Sequence, residues 1–289
     1  MRILMIHGRA QGGKDPESLK SIWLDTLKKG FKAAGAPFPE GLQVDFPFYG
    51  DKLDYFTEQA RLPSPSDLVA KGPGQDREFE QFMQSALGEM KSRAEIPDEE
   101  VVGELDERGV QEKGIQNWGW VLAIARVIDR HLTGASEFTI ETFLKDVFLY
   151  LSKPAVTRGI NRIVQEKLTG EPTIVIGHSL GSVVGYKIIL ENLQSLNLVK
   201  YITVGSPLGL KAISSRLAPL QNSCGAGGWY NAYDLRDIVA LNPLDDNHFP
   251  TDPTILNHGG VDNQTDNRHG IVGYLNDASV ARQIAQALG

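Results

Sequence analysis

Apolar and polar positions alternate along the chain in a pattern typical of short buried strands joined by amphipathic helices. The apolar run RILMIHG ends in glycine and predicts a buried strand. Residues 15–35 then show helical spacing, with Asp15 as the N-cap and with Ile22, Leu27 and Phe31 on an apolar face. GLQVDFPFYG predicts a second strand, so these segments indicate a parallel strand–helix–strand unit.

The pattern changes between residues 51 and 150, where no strand signal is found. LPSPSD and KGPGQD are typical of loops, and three segments have helical periodicity: EFEQFMQSALGEMKSRAEI, IQNWGWVLAIARVIDRHL and FTIETFLKDVFLYL. This predicts a helical cap or insertion at 51–150 on a core formed by 1–50 and 151–289. Trp118 and Trp120 are candidates for lining a substrate pocket, or else they pack the insertion onto the core.

After residue 150 the alternation of helices and strands resumes. AVTRGINRIVQEKL predicts a helix, TIVIG a strand, and residues 179 to about 196 a further helix. VKYITVGSP and GWYNAYD predict strands on either side of a short helix around 211–217, and NDASVARQIAQAL closes the chain as a helix. The whole pattern predicts an α/β fold with a mostly parallel central sheet flanked by helices.

Composition and charge narrow the class of protein. The 289 residues carry a formal charge of −7, and 41% are hydrophobic, which suits one large domain with an insertion. The acidic balance argues against nucleic acid as a partner, and no segment has the ~18–20 apolar residues of a membrane span. The single cysteine, Cys224, excludes an internal disulfide, and no signal-peptide pattern is found, so we expect a cytoplasmic location. Histidine spacing predicts no metal site, and no cofactor is expected.

The segment GHSLG at residues 177–181 has the pattern G-x-S-x-G between a predicted strand and a predicted helix. So sharp a turn strains the backbone of Ser179 and raises its hydroxyl above the sheet. Side chains at Gly177 and Gly181 would clash, which explains both glycines. The amide of Leu180 would lie at a helix N-terminus, where an oxyanion is stabilised.

On these residues the chain resembles the α/β-hydrolase family, and GHSLG looks like the elbow of its lipases and esterases. The resemblance covers most of the chain outside 51–150 and implies the α/β-hydrolase fold, with Ser179 as a nucleophile in acyl transfer. His7 and Gly8 resemble the pair that opens the family's oxyanion loop. The resemblance implies that the backbone amide of Arg9 is the second oxyanion donor, although Ala10 or Gln11 could serve, and that His7 shapes the loop.

A serine nucleophile needs a base, and the base needs an orienting carboxylate. The family's chain order is serine, acid, histidine. The turn at Asp237 resembles the family's Asp-x-Val turn better than the turn at Asp234 does, so Asp237 is the first candidate acid and Asp234 the second. His269 lies just before the last predicted helix, where the family places its base; His258 is the second candidate and His248 the third.

The expected activity is that of a serine esterase or lipase-like enzyme acting on a small-molecule ester, with substrate pockets lined largely by the insertion. Thioesterase, amidase, acyltransferase and a non-catalytic small-molecule-binding protein remain alternatives. A further alternative is a nucleotide-binding P-loop, because residues 8–14 match G-x-x-x-x-G-K, but Asp15 stands where a magnesium-binding hydroxyl belongs. Lys14 and Arg9 could favour an anionic substrate, or could be solvated surface charges.

Overall fold

A six-stranded sheet forms the centre of the protein in a computed structural model that describes residues 1–60, 62, 77–106, 118–132, 139–225 and 227–289. Its strands are β1 (Arg2–Ile6), β2 (Gln43–Asp45), β3 (Thr173–His178), β4 (Leu198–Val204), β5 (Trp229–Ala232) and β6 (Leu256–His258). Their order in the sheet is β2-β1-β3-β4-β5-β6, and each of these neighbouring pairs is parallel. In a parallel sheet the carboxyl ends of all strands lie at one edge, where loops can bring side chains together.

Helices occupy both faces of this sheet. The described ones are α1 (Pro16–Ala33), α2 (Gly50–Gln59), α3 (Arg77–Arg93), α4 (Asp98–Asp106), α5 (Trp118–His131), α6 (Ile140–Ser152), α7 (Pro154–Gln165), α8 (Leu180–Glu191), α9 (Lys211–Ser214), α10 (Ile271–Leu275) and α11 (Ala278–Leu288). A 3₁₀ turn spans Pro207–Gly209. The predicted α/β class, with a parallel sheet flanked by helices, is confirmed.

Side chains of alternate strand residues pack into two separate hydrophobic cores, one on each face of the sheet. On β1, Ile3 and Met5 pack with α1 and α11, while Leu4 and Ile6 belong to a larger cluster on the other face. This larger cluster includes buried residues of α3, α5, α6 and α8, so the described helices between residues 77 and 152 share one core with the sheet. Burial on both faces explains why the central strands β1, β3 and β4 consist mainly of apolar residues.

The first helix confirms one sequence prediction and corrects another. Asp15 accepts a hydrogen bond of 2.8 Å from the Ser18 amide, as expected of an N-cap. Trp23, Leu27 and Phe31 are buried, but Ile22 is 49% exposed, so its assignment to the core face is wrong. Trp23 and Leu27 stand four residues apart on one stripe, and Ile22 lies about 100° around the helix from Trp23.

Two helices end earlier than predicted. Helix α8 stops at Glu191 rather than near residue 196, and the side-chain amide of Asn192 donates to the Ile188 carbonyl at 2.8 Å. A side chain that bonds the backbone in this way competes with continuation of the helix. Helix α9 ends at Ser214, three residues before the predicted end. Among the described residues, none of the helices combines the length and the apolar character needed to cross a membrane.

Candidate active site

The turn between β3 and α8 holds Ser179 in a strained backbone conformation. Its φ of 55° and ψ of −129° are rare for a residue with a side chain. A Cβ on Gly177 would lie 2.7 Å from the Cα of Ser182, and one on Gly181 would overlap the carbonyl oxygen of Ile6. Only glycines allow this approach, and the sharp turn predicted for GHSLG is present.

Ser179, His269 and Asp237 form a hydrogen-bonded chain of buried side chains. His269 Nε2 lies 2.8 Å from the Ser179 hydroxyl, and His269 Nδ1 lies 2.7 Å from Asp237 Oδ2. Because a carboxylate only accepts, Nδ1 carries the proton that it donates to Asp237, and Nε2 is left to accept from Ser179. This tautomer is the one that a general base at Ser179 requires.

Asp237 is completely buried, and each of its oxygens accepts hydrogen bonds. Oδ1 accepts from the Val239 amide at 3.0 Å, and Oδ2 accepts from the Tyr274 hydroxyl at 2.5 Å as well as from His269. Burial and the neighbouring Asp237 carboxylate raise the pKa of Tyr274 well above its usual range, so its hydroxyl keeps the donated proton. Sequence reasoning did not identify Tyr274, because nothing in the local pattern of α10 distinguishes it from other buried aromatic residues.

The second-choice acid lies elsewhere in the same turn. Asp234 is buried, and its carboxylate accepts from the amides of Arg236 and Asn263, each at 2.8 Å. Ion pairs to Arg236 and Arg268 surround it as well. Asp234 therefore ties its own turn to the segment that leads to His269, which is a structural role.

The second-choice and third-choice bases each have a partner away from Ser179. His258 belongs to the edge strand β6, and its ring stacks on Tyr230 with centroids 6.2 Å apart. His248 Nδ1 lies 2.7 Å from the Asp245 carboxylate. The structure thus brings together the first-choice acid and base, and neither alternative histidine has a hydrogen bond to Ser179 among the described contacts.

The loop after β1 lies directly against Ser179. A Cβ on Gly8 would come within 2.8 Å of Ser179 Cβ, and Arg9, Ala10 and Gln11 line the same pocket as Ser179. Leu180 is the first residue of α8, so its amide is among those without a partner inside the helix. The two predicted oxyanion donors are the amides of Leu180 and Arg9. Leu180 follows Ser179 in the chain, and Arg9 belongs to the loop that lines the same pocket as Ser179.

His7 shapes this loop from within the core. Its Nε2 accepts from the Tyr49 amide at 3.1 Å, and its Nδ1–H donates to the Gly8 carbonyl at 2.6 Å. Burial lowers the pKa of His7 to about 4, with a further contribution from the charge of Lys14. A neutral ring is needed for both hydrogen bonds, and His7 makes none to Ser179, as the loop-shaping role predicts.

The side chain of Arg9 pins the same loop to the helical segment. Arg9 Nε donates to Asp146 Oδ2 of α6 at 2.7 Å, and Thr57 of α2 donates to the other Asp146 oxygen at 2.8 Å. Asp146 is buried, so this is an internal ion pair. The guanidinium of Arg9 therefore forms an ion pair with Asp146 and is not the solvated surface charge that was one of the two alternatives from sequence.

Two further contacts hold the backbone at Ser179 and His269. The Nε2–H of His178 donates to the His269 carbonyl at 2.7 Å, and the two rings lie 4.9 Å apart. Burial and the nearby His269 ring lower the pKa of His178 well below its usual value, which keeps it neutral. Ser182 donates to the Ser179 carbonyl at 2.6 Å and lies 2.7 Å from the Ser206 hydroxyl.

A pocket of about 400 Å³ opens onto Ser179. Its described lining comes from the loop at 8–14, from α1, from His178 and Ser179 and from residues 267–271, and includes no residue of 51–150. Trp118 and Trp120 are instead buried in the larger core, and neither lines this pocket. The sequence predicts that the insertion lines most of the substrate pocket, but in the described part of the chain it packs on the core and binds Arg9.

In the P-loop alternative, backbone amides of the loop at 8–14 would bind a phosphate, but carboxylates lie beside two of its glycines. The Gly13 amide donates to Asp51 at 2.7 Å, and a Cβ on Gly12 would overlap the Asp54 carboxylate. Asp15 caps the following helix. Negative side chains around these amides oppose binding of an anion.

No group of three or more His, Cys, Asp or Glu residues suited to a metal ion occurs within the described ranges.

Comparison with known proteins gives no relative from which to transfer a function. The chain matches no protein-family model, no curated protein and no solved structure. The chemistry of the site is therefore inferred from its geometry: a hydroxyl whose proton can pass to an imidazole, beside backbone amides at a helix N-terminus. That arrangement is suited to nucleophilic attack on an acyl group.

Proposed function

We propose that the protein is a serine hydrolase of the α/β-hydrolase type that cleaves a carboxylic ester. The observation that carries this proposal is the chain of hydrogen bonds from Ser179 through His269 to Asp237, at 2.8 and 2.7 Å, beside a strained turn. Buried hydroxyl groups are commonly hydrogen-bonded, but the order hydroxyl, imidazole, carboxylate is the one that activates a nucleophile.

The first half of the reaction forms an acyl-enzyme. The Ser179 oxygen attacks the carbonyl carbon of the ester, and its proton passes to His269 Nε2. The tetrahedral intermediate collapses as the bond to the alcohol oxygen breaks, and the alcohol leaves with the proton from Nε2. Asp237 keeps its charge throughout and stabilises the imidazolium that forms in between.

The second half returns the enzyme to its starting state. Water attacks the acyl carbon while His269 Nε2 takes one of its protons. The bond to the Ser179 oxygen then breaks, and this oxygen recovers the proton as the carboxylic acid leaves. The amides of Leu180 and Arg9 would stabilise the oxyanion in both halves, and loss of one such donor typically costs about 10²–10³ in rate.

A fluorophosphonate probe tests the proposal, because it forms a covalent bond only with an activated serine. We expect the probe to label the wild-type protein at Ser179, and labelling to be lost in Ser179→Ala. Ser215→Ala replaces an exposed serine and serves as the matched control, which should label like the wild type. A wild type that is folded by circular dichroism yet unlabelled, or a labelled Ser179→Ala, would contradict the proposal.

The class of ester bond is tested on the same proteins. p-Nitrophenyl acetate, a thioester and an anilide of the same acyl group should be hydrolysed with the ester fastest, each reaction depending on Ser179. If the thioester or the amide is cleaved faster than the ester, the proposed triad stands but the assignment of a carboxylic ester as the substrate is wrong.

A further inference from the structure

The pocket at Ser179 has an apolar wall built by two helices. Leu19, Ile22 and Trp23 of α1 and Ile271 of α10 line it, and we call these four residues the α1–α10 wall. The rest of the described lining is mainly polar and contains no carboxylate. One pocket thus offers an apolar surface and a polar surface to the same ligand.

Among the described residues, Ile22 belongs to neither of the two hydrophobic cores. It is 49% exposed, while Trp23, Leu27 and Phe31 form the buried stripe of the same helix. A single exposed apolar residue needs no explanation. Ile22, however, lines the pocket together with Leu19, Trp23 and Ile271, so these apolar side chains lie around one cavity. A cluster of this kind beside a cavity is typical of a ligand-binding surface.

The volume of the pocket limits what this surface can bind. A cavity of about 400 Å³ is near the lower end of the ~300–1,000 Å³ that small-molecule pockets occupy. A pocket of this volume has room for a compact ester with one aliphatic chain.

We propose that the α1–α10 wall binds the aliphatic chain of the ester, and that Ile22 sets the preference for chain length. This rests on the proposed esterase function and assigns its substrate class: small esters with one short or medium aliphatic chain. Chain selection then lies with α1 and α10, and the helical insertion acts on the site through the contact between Asp146 and Arg9.

The experiment compares kcat/KM for p-nitrophenyl acetate and p-nitrophenyl octanoate in three variants. Ile22→Ser should lower the octanoate-to-acetate ratio about tenfold, since lost contacts with one or two methylene groups in an apolar pocket are worth at least that factor. Ile22→Leu should keep the ratio near that of the wild type. Leu193→Ser is the matched control, because Leu193 is also 49% exposed but does not line the pocket.

A second series, octyl acetate against ethyl acetate, assigns the chain to the acyl or the alcohol side. A drop in the ratio for Ile22→Ser in either series supports the proposal. Ratios that are unchanged in both series, or that fall equally in Leu193→Ser, would overturn it.

Labelling with the fluorophosphonate probe is run in parallel and separates the two possible failures. If Ser179 is labelled but Ile22→Ser leaves both ratios unchanged, only the role of the α1–α10 wall is wrong. If folded wild type is not labelled, the esterase proposal fails and this inference fails with it.

Discussion

At the scale of single residues, the two aspartates of one turn show how contacts separate a chemical role from a structural one. Both Asp237 and Asp234 are buried and accept backbone amides. Asp237 also accepts from His269, whereas the other partners of Asp234 are the guanidinium groups of Arg236 and Arg268. The first carboxylate is therefore placed to orient an imidazole, whereas the described contacts of the second hold loops together.

The substitutions Asp237→Asn and Asp234→Asn should therefore have different effects. An amide beside His269 Nδ1 favours the wrong tautomer, so we expect Asp237→Asn to lower kcat about 10⁴-fold. Asp234→Asn should stay within about tenfold of wild-type activity but lose roughly 1–3 kcal/mol of unfolding free energy, as expected when buried hydrogen bonds are weakened. Ester hydrolysis and urea unfolding measure both, and the reverse ranking of activities would show that Asp234 is the acid.

His7 links stability to pH, because its pKa is lowered by burial to about 4. In the unfolded chain His7 binds a proton with the ordinary pKa of about 6.5. The contribution of neutral His7 to the free energy of unfolding is therefore complete above pH 6.5 and is lost as pH falls toward 4. We expect protonation of His7 to lower the free energy of unfolding by roughly 2 kcal/mol between pH 7.5 and pH 5. The loss of unfolding free energy over this range should be smaller by that amount in His7→Asn than in the wild type. Equal losses would mean that His7 titrates normally in the folded protein.

At the scale of elements, the turn between β3 and α8 depends on glycine where the chain touches β1. A Cβ on Gly181 would overlap the Ile6 carbonyl, which belongs to a buried strand and cannot move aside. A Cβ on Gly88 of α3 would meet no heavy atom of the described residues within 4 Å, apart from its chain neighbours and its own helix backbone. The two glycines both lie in helices, so they form a matched pair.

Alanine should consequently have opposite effects at these two positions. Gly181→Ala should lose more than about 3 kcal/mol of unfolding free energy, since overlap with backbone is among the most damaging changes. Gly88→Ala should gain about 0.5–1 kcal/mol, because alanine loses less conformational freedom than glycine in a helix. Urea unfolding gives both values, and a stable Gly181→Ala would show that β1 and α8 can separate without cost.

Elements with a local pattern could be predicted from sequence, and contacts between distant segments could not. The N-cap at Asp15 and the elbow at Ser179 depend on a few neighbouring residues, which the sequence displays directly. The local chemistry of Asp237 and Asp234 is alike, so only the resemblance to a family favours Asp237 as the acid. Tyr274 meets Asp237 across 37 positions, and no short pattern records such a pairing.

The walls of the pocket illustrate the same limit. Periodicity finds the apolar stripe of α1, but whether Ile22 or Trp23 faces the core depends on the position of α1 against the sheet. In the same way, the ion pair between Arg9 and Asp146 spans 137 positions and connects two segments whose packing the sequence does not specify. The sequence therefore predicts a substrate pocket lined largely by the insertion, although the described residues of the insertion do not line it.

At the scale of the whole molecule, the described helices of the insertion are continuous with the core. Phe79, Ile124 and Phe148 belong to the same buried cluster as Leu4 and Ile6 of β1. The contact between Arg9 and Asp146 adds a buried ion pair between the insertion and the loop beside Ser179. Breaking such a pair by removal of one partner typically costs about 3–5 kcal/mol.

A shared core predicts that the insertion and the sheet unfold together. The four tryptophans divide evenly: Trp118 and Trp120 lie on α5, while Trp23 and Trp229 lie on α1 and β5. One double variant, Trp23→Phe with Trp229→Phe, keeps only the insertion's fluorescence, and the complementary variant keeps only that of the sheet. In each variant the urea midpoint from fluorescence should equal the midpoint from far-ultraviolet circular dichroism, because a cooperative unit loses all its structure in one transition.

Comparing two probes within one variant removes the effect of the substitutions on stability. A fluorescence midpoint that falls below the circular dichroism midpoint only where Trp118 and Trp120 report would mean that the insertion opens first. In that case the cluster containing Leu4 and Phe148 would not be a single cooperative core, and the contact between Arg9 and Asp146 could break while the sheet remains folded. Coincident midpoints in both variants instead make the insertion a permanent support for the loop at Arg9, since its helices then separate from the sheet only when the whole protein unfolds.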